Sequence, residues 1–242
     1  MQAYIKMLAK NYKNALADFT RAIEKEYTQP QAYYFRGIVN FELRDYSNAL
    51  IDFTMAIDRN HNFAYAYNER ASTKQMMGDF HGAIHDYGQA LTYDSTIVVA
   101  YDNMGECKIK TGDYEGAIAD YTKAFQIDPS YFYALNNRGR AFYQMGKYDQ
   151  ALKDFDKVIS LQKDYTLAYN NRGITKIKLE NYHGAVNDLD MAIKLNEEYA
   201  EAYMNRAYAK EFLGKFSEAC ADWKSALKLG IEEAEEYIKE CE

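Results

Sequence analysis

Proline is almost missing from this chain: Pro30 and Pro129 are the two among 242 residues. The thirteen glycines are mostly single and widely spaced, too little turn punctuation for a β-sandwich or barrel, which needs a turn signal about every ten residues. The balance favours helices. No apolar run approaches the roughly 18 residues of a membrane-spanning helix, so no membrane insertion is expected. Cysteine is scarce as well. Cys107, Cys220 and Cys241 form an odd set without C-x-x-C spacing, which writes neither a disulfide framework nor a structural zinc site and fits free thiols in a reducing compartment. The N-terminal stretch MQAYIKMLAK has no apolar core of the kind a signal peptide carries, and the expected location is cytoplasmic. Basic clusters are lacking too. With a formal net charge of −7, a phosphate backbone is a disfavoured partner and no nucleic acid is expected. Catalytic signatures are missing: there is no G-x-x-x-x-G-K-[ST], no G-x-S-x-G and no H-E-x-x-H, so neither an enzyme nor a cofactor is expected.

What remains is a folded chain, 48% hydrophobic and 27% charged, and it repeats itself. At a lag of 34 residues stand Ala15, Ala49, Ala83, Ala117, Ala151, Ala185 and Ala219. Asp18, Asp52, Asp86, Asp120, Asp154, Asp188 and Asp222 keep the same register, as do the aromatics Tyr12, Tyr46, Phe80, Tyr114, Tyr148, Tyr182 and Phe216. No insertion breaks any series, and chance does not produce three together. A period of this length is the signature of a repeat architecture.

One unit shows what each repeat builds. Ala100, Met104 or Gly105, and Cys107 recur at three- to four-residue spacing, one face of a helix. Thr111–Tyr114, T-G-D-Y, then breaks the helix: Gly112 permits a left-handed cap and Asp113 supplies an N-terminal carboxylate for a second helix. Tyr114, Ala117, Tyr121 and Ala124 make that helix's buried stripe. A single hairpin cannot bury both sides of the stripe, so neighbours must stack into an all-α solenoid of helix pairs.

At these residues the chain resembles the tetratricopeptide-repeat family, whose repeat places an aromatic and a Gly or Ala in the first helix, an aromatic after a Gly-containing turn, then Ala, aromatic and Ala in the second. The match runs over essentially the whole chain. Three departures stand out: the closing proline survives as Pro129, the turn glycine is replaced by Arg44 and Glu180, and Leu189 takes an aromatic's place. The replaced glycines are expected to loosen their loops. The resemblance implies a right-handed superhelical solenoid of stacked antiparallel helix pairs, a single domain over 1–242, with a partial repeat at 1–29 and full repeats at 30–63, 64–97, 98–131, 132–165, 166–199 and 200–230. Segment 231–242 puts Ile231, Ala234, Tyr237, Ile238 and Cys241 on one face and mostly glutamates on the other, and reads as a C-terminal capping helix. No such cap precedes Met1, so the N-terminal face is expected to meet a partner or a preceding repeat.

The resemblance further implies that first helices line a concave surface. Helical spacing assigns to it Tyr34; Tyr65 and Asn68; Tyr133, Asn136, Arg140 and Tyr143; Asn170; and Tyr208. One residue further on runs a second amide series, Asn103, Asn137, Asn171 and Asn205. Asparagine is a poor mid-helix residue, so a series in register needs a reason. Two readings stand. The amides can grip an extended peptide backbone with one acceptor and two donors each, as amide ladders do in the repeat domains of O-linked N-acetylglucosamine transferases; or they can bond between neighbouring helices and tie the array together. The family's carboxylate clamp is not supplied, because acids such as Asp102, Glu106, Glu201 and Glu211 outnumber Arg140. Arg36, Arg70, Arg138, Arg172 and Arg206 form one more series, and they are the natural bidentate partners of the mid-helix aspartates. His81 and His85 share a helix face four apart, a weak metal candidate without a third ligand. The expected function is a non-catalytic scaffold that binds a protein or peptide segment in the groove. The alternative is an assembly module that self-associates or docks through its N-terminal face.

Overall fold

The structure, a computed structural model, describes residues 2–25 and 29–241; the expected end points Met1 and Glu242 lie outside the described residues. Among these every regular element is helical. The chain forms two compact units, Met1–Ile127 and Asp128–Glu242. The first holds α1 (Gln2–Leu8), α2 (Tyr12–Glu24), α3 (Pro30–Glu42), α4 (Tyr46–Arg59), α5 (Ala64–Met76), α6 (Phe80–Tyr93), α7 (Val98–Thr111) and α8 (Tyr114–Ile127). The second holds α9 (Phe132–Gln144), α10 (Tyr148–Leu161), α11 (Thr166–Lys178), α12 (Tyr182–Leu195), α13 (Ala200–Phe212), α14 (Phe216–Lys228) and α15 (Ala234–Ile238), followed by a 3-10 turn at Lys239–Cys241. Helices pack as consecutive hairpins, α3 on α4, α5 on α6 and α7 on α8 in the first unit, and α9 on α10, α11 on α12 and α13 on α14 in the second. Within each unit the second helix of a hairpin packs on the first helix of the next, and successive first helices also touch.

The alanine series explains the close packing. All seven alanines are wholly buried, which brings backbones together and leaves room for rings such as Phe53, Tyr87, Tyr121 and Phe155. The approach is equally tight at Gly37, Gly105 and Gly139, where a Cβ would stand 2.7 Å from the rings of Phe53, Tyr121 and Phe155.

Turns close each hairpin by one device. Gly78, Gly112, Gly146 and Gly214 take left-handed φ between 72° and 85°, and the N–H of the residue after the glycine reaches back, as from Asp79 to Lys74 O (2.9 Å) and Asp113 to Lys108 O (2.8 Å). The two replaced glycines do not loosen their loops, contrary to the expectation from sequence. Arg44 (φ 61°) and Glu180 (φ 58°) adopt the same left-handed geometry, and the back-bonds Asp45 N to Asn40 O (2.8 Å) and Asn181 N to Lys176 O (2.9 Å) are kept. The next helix holds them there: Asp45 and Asn181 cap it by accepting the N–H groups of Asn48 and Gly184.

The arginine and aspartate series pair across each hairpin, always 16 residues apart: Arg36 with Asp52, Arg70 with Asp86, Arg138 with Asp154, Arg172 with Asp188 and Arg206 with Asp222. A lysine joins several of them, as Lys74 does at Asp86 (2.8 Å). Where Met104 interrupts the arginines, Asp120 keeps Lys108 at 2.6 Å. At Asp52, Asp86 and Asp120 burial pushes the carboxyl up, and the strength of the opposing cations decides the outcome. At Asp86, Arg70 and Lys74 together overcome burial and hold the group below the usual carboxylate range; at Asp120, Lys108 does not, and the group lies above it.

The C-terminal segment departs from expectation twice. It is not one helix over 231–242: a turn precedes the five-residue α15, and a 3-10 turn follows. Its amphipathic split holds, for Ala234 is buried and Ile231, Tyr237 and Ile238 pack against Trp223, Met204 and Ala226. The second departure is covalent. Cys220 on α14 and Cys241 form a disulfide with Cα atoms 5.9 Å apart, which corrects the expectation of three free thiols; Cys107 alone stays free, and it is buried. A separation of 21 residues gives no local spacing to read, because the pair meets when the segment folds back along α14.

Candidate functional site

In the second unit α9, α11 and α13 lie side by side, and their amides interlock. Asn171 Nδ2 donates to Asn136 Oδ1 (3.1 Å), and Asn205 Nδ2 donates to Asn170 Oδ1 (3.0 Å). Asn136 and Asn170 are buried, at 3% and 4% exposure; Asn171 and Asn205 are half-buried. Each half-buried amide therefore uses one donor toward its neighbour and keeps a carbonyl and a second N–H in reserve. These reserved edges border two clefts.

The first cleft, about 200 Å³, lies among Arg140, Tyr143, Gln144, Phe155, Asn171 and Ile174. The second, about 240 Å³, shares Ile174 and is bordered by Tyr199, Glu201, Asn205, Ile231 and Glu233. Arg140 is exposed and Tyr143 half-buried against Tyr148. Tyr199 is pushed up to about 12, by burial first and then by Glu201 and Tyr165, with Arg140 opposing, so its hydroxyl is a permanent donor at neutral pH. Nearby, Tyr133 (45% exposed) stacks on Phe132 and meets Tyr165 edge-on. Tyr208 is half-buried, packed edge-on against Trp223 and Tyr237.

In the first unit the assigned residues are less gathered. Tyr34 sits among the rings of Phe35, Phe53 and Phe63, where burial raises its hydroxyl well above the ordinary value. Tyr65 is 52% exposed. Asn68 is buried and donates to Glu69 (3.1 Å), and Asn103 is half-buried, as is Asn137 in the second unit. Glu69 stands where Asn103, Asn137, Asn171 and Asn205 stand in later repeats, and burial lifts its carboxyl above the usual range. The pair His81 and His85 is exposed, His85 resting 3.3 Å from Asp86; among the described residues no group of three His, Cys, Asp or Glu side chains is placed to hold a metal. No helix among them is long and apolar enough to cross a membrane.

Five cleft residues escaped the sequence reading. Gln144 ends α9, Phe155 comes from α10, Tyr199 immediately precedes α13, and Ile231 and Glu233 come from the C-terminal segment. The first-helix rule names none of them. Only Ile231 carried a signal, as an apolar residue on a face that had to cover something.

Family models described as tetratricopeptide repeat match residues 1–65 and 132–165, and one described as TPR repeat matches 108–146. Among solved structures, the C-terminal part of a TPR repeat-containing protein from Cytophaga hutchinsonii is similar at 20% identity and a TM-score of 0.80, covering 98% of each chain. A tetratricopeptide repeat protein from Parabacteroides merdae is 21% identical with a TM-score of 0.73, covering 99% of this chain and 96% of its own. YrrB, described as a TPR protein with an unusual peptide-binding site, is 19% identical with a TM-score of 0.62 over 77% of this chain and 97% of its own. No curated protein matches in sequence.

Proposed function

We propose that this chain, which belongs to the tetratricopeptide-repeat family, is a protein–protein interaction scaffold that holds an extended segment of a partner along the first-helix face of its second unit. The observation that carries this reading is the half-engaged state of Asn171 and Asn205, each bonded to one neighbour and bordering a cleft. A backbone segment supplies the alternating donors and acceptors that such amides complement, whatever its sequence. Tyr143, Ile174 and Met204 border the same clefts and supply apolar contact for side chains. The peptide-binding site named for YrrB lends the reading support by analogy.

The test is a peptide selected from a random display library on the immobilised chain, with its affinity then compared for wild type and Asn171→Ala/Asn205→Ala. The peptide reading expects affinity to fall by roughly 1 to 3 kcal/mol at a temperature where both proteins are fully folded. The links to Asn136 and Asn170 are lost as well, so the melting temperature falls in either case; unchanged affinity beside that fall leaves the amides a purely structural role.

A second reading, assembly through the N-terminal face, draws on α1, where Tyr4, Ile5 and Leu8 are 39%, 57% and 63% exposed. Under this reading the chain self-associates, and Ile5→Glu/Leu8→Glu makes it monomeric in light scattering. A monomer before substitution removes the reading. The proposed cytoplasmic location requires Cys220 and Cys241 to be thiols there, because cystines persist in oxidising compartments. Thiol titration of protein from its native source distinguishes the two: three thiols support the cytoplasm, one supports an oxidising space.

A further inference from the structure

The two clefts of the second unit differ in charge. The first carries the exposed guanidinium of Arg140 beside Tyr143 and Gln144. The second carries two carboxylates, both exposed: Glu201 from α13 and Glu233 from the C-terminal segment. They are contiguous, because Ile174 of α11 borders both. A groove whose ends have opposite sign discriminates among ligands of equal shape, since a like charge placed at either end is repelled.

We infer that the partner segment is itself dipolar, with an acidic side chain for the Arg140 cleft and a basic side chain about three residues away for the Glu201–Glu233 cleft. This rests on the groove reading above and adds the chemistry of its occupant. The clefts flank α11, one with α9 and one with α13, and we take one helix-packing step, about 8 to 10 Å, as the distance between them. In a polyproline-II strand, with three residues per turn and about 3.1 Å of rise, residues i and i+3 share a face about 9 Å apart. The spacing of the clefts thus fits one turn of that conformation, with the Asn171 edge at the backbone between them. A guanidinium has five N–H donors, so Arg140 can receive a carboxylate while keeping other contacts. On the acidic side two carboxylates from different elements converge on one cleft, and the partner's ammonium or guanidinium relieves their mutual repulsion. Tyr199, whose hydroxyl feels Glu201 and Arg140 with opposite sign, lies within electrostatic reach of both ends. Half of the acidic pair comes from the segment that the Cys220–Cys241 bond fastens to α14.

The experiment uses the full chain and fluorescein-labelled, end-capped ten-residue peptides of alanine, leucine and serine. One carries a glutamate and a lysine three residues apart, one carries glutamines at both places, one carries two lysines and one carries two glutamates. Fluorescence anisotropy at low salt is expected to show the mixed peptide binding at least tenfold more tightly than the other three, with the preference shrinking as salt is added. Arg140→Glu is expected to transfer the preference to the two-lysine peptide, and Glu201→Lys/Glu233→Lys to transfer it to the two-glutamate peptide. These side chains are exposed, and unchanged helical circular dichroism confirms that each variant is folded. Equal affinity for all four peptides overturns the inference and leaves the groove reading standing. Failure of the wild type to bind any of them, or charge reversal without a change of preference, also overturns it; the groove reading is judged separately by the selected peptide and the asparagine variant.

Discussion

Asp86 offers the sharpest test of how these hairpins are held. Its side chain is wholly buried, with Arg70 Nε at 2.7 Å, Arg70 Nη2 at 2.9 Å and Lys74 Nζ at 2.8 Å. Asp120 is the internal control, since Met104 occupies the arginine's register there and Lys108 remains. Arg70→Met therefore places Asp86 in the situation of Asp120, in which burial prevails over a single lysine. Breaking a buried pair by removing one partner costs about 3 to 5 kcal/mol; with Lys74 retained, the expected loss near neutral pH is about 2 to 3 kcal/mol. The sign with pH follows from the two shifts. In the wild type the depressed Asp86 contributes stability that is present above the unfolded-state value and lost as pH falls through the folded one. In the variant a raised carboxyl reverses this, and its contribution is lost as pH rises. The gap between the two proteins is then widest near pH 7 and narrows toward pH 3. His85 stands beside Asp86 at 3.3 Å. Urea unfolding followed by circular dichroism at the two pH values measures the gap. A gap below about 1 kcal/mol at neutral pH, or one that is the same at both, would refute the reasoning.

Arg44→Gly and Glu180→Gly should each raise stability by about 0.5 to 1 kcal/mol, since a left-handed residue with a Cβ costs about 1 to 2 kcal/mol and glycine's greater freedom when unfolded returns part of it; a lower urea midpoint in either variant contradicts the strain at these turns. Reducing Cys220–Cys241 opens a closure of 21 residues, worth about 3 kcal/mol by loop entropy, and hydrogen exchange should speed up across 231–241 while α9 and α10 keep their protection. Exchange that stays unchanged in that segment after reduction would show that Trp223 and its neighbours suffice to hold it. Ala117→Pro, in the interior of α8, should cost about 3 kcal/mol or more and expose α7 and α8 first; a uniform loss of protection in all helices of the first unit would contradict nearest-neighbour stability.

The repeat was legible because its residues answer to backbone geometry. Ala117 and its six equivalents must be small where helices cross, and Gly112 suits a left-handed turn, so spacing alone locates α7 and α8. The Arg–Asp pairing was readable for a similar reason, as an aspartate such as Asp154 in mid-helix is unfavourable without a partner. The site was only half legible. Helical periodicity pointed Asn171 and Arg140 to one face, but it could not divide the work between Asn170, a buried acceptor, and Asn205, a half-buried donor at the same cleft. Those roles depend on how neighbouring helices abut. Phe155 and Glu233 reach their clefts through packing between elements, and the Cys220–Cys241 bond through a chain reversal, neither of which leaves a period in the sequence. Arg44 and Glu180 show the converse: weak turn residues, yet they take the left-handed form beside the helix caps at Asp45 and Asn181.

The arginines that close one hairpin also reach backward. Arg172 holds Asp188 sixteen residues ahead and Asp156 sixteen behind, and Arg206 does the same with Asp222 and Asp190. Each amide link spans 35 residues, from one repeat to the next. The repeat at 166–199 thus bears both halves of its joints, Asn170 and Asp190 facing forward and Asn171 and Arg172 facing backward. If its gene acquires a copy of one 34-residue block, or loses one, the severed joints re-form between the new neighbours without a single compensating substitution. The array can lengthen or shorten by whole units, and a groove matched to one partner can be extended toward a longer one in a single heritable step.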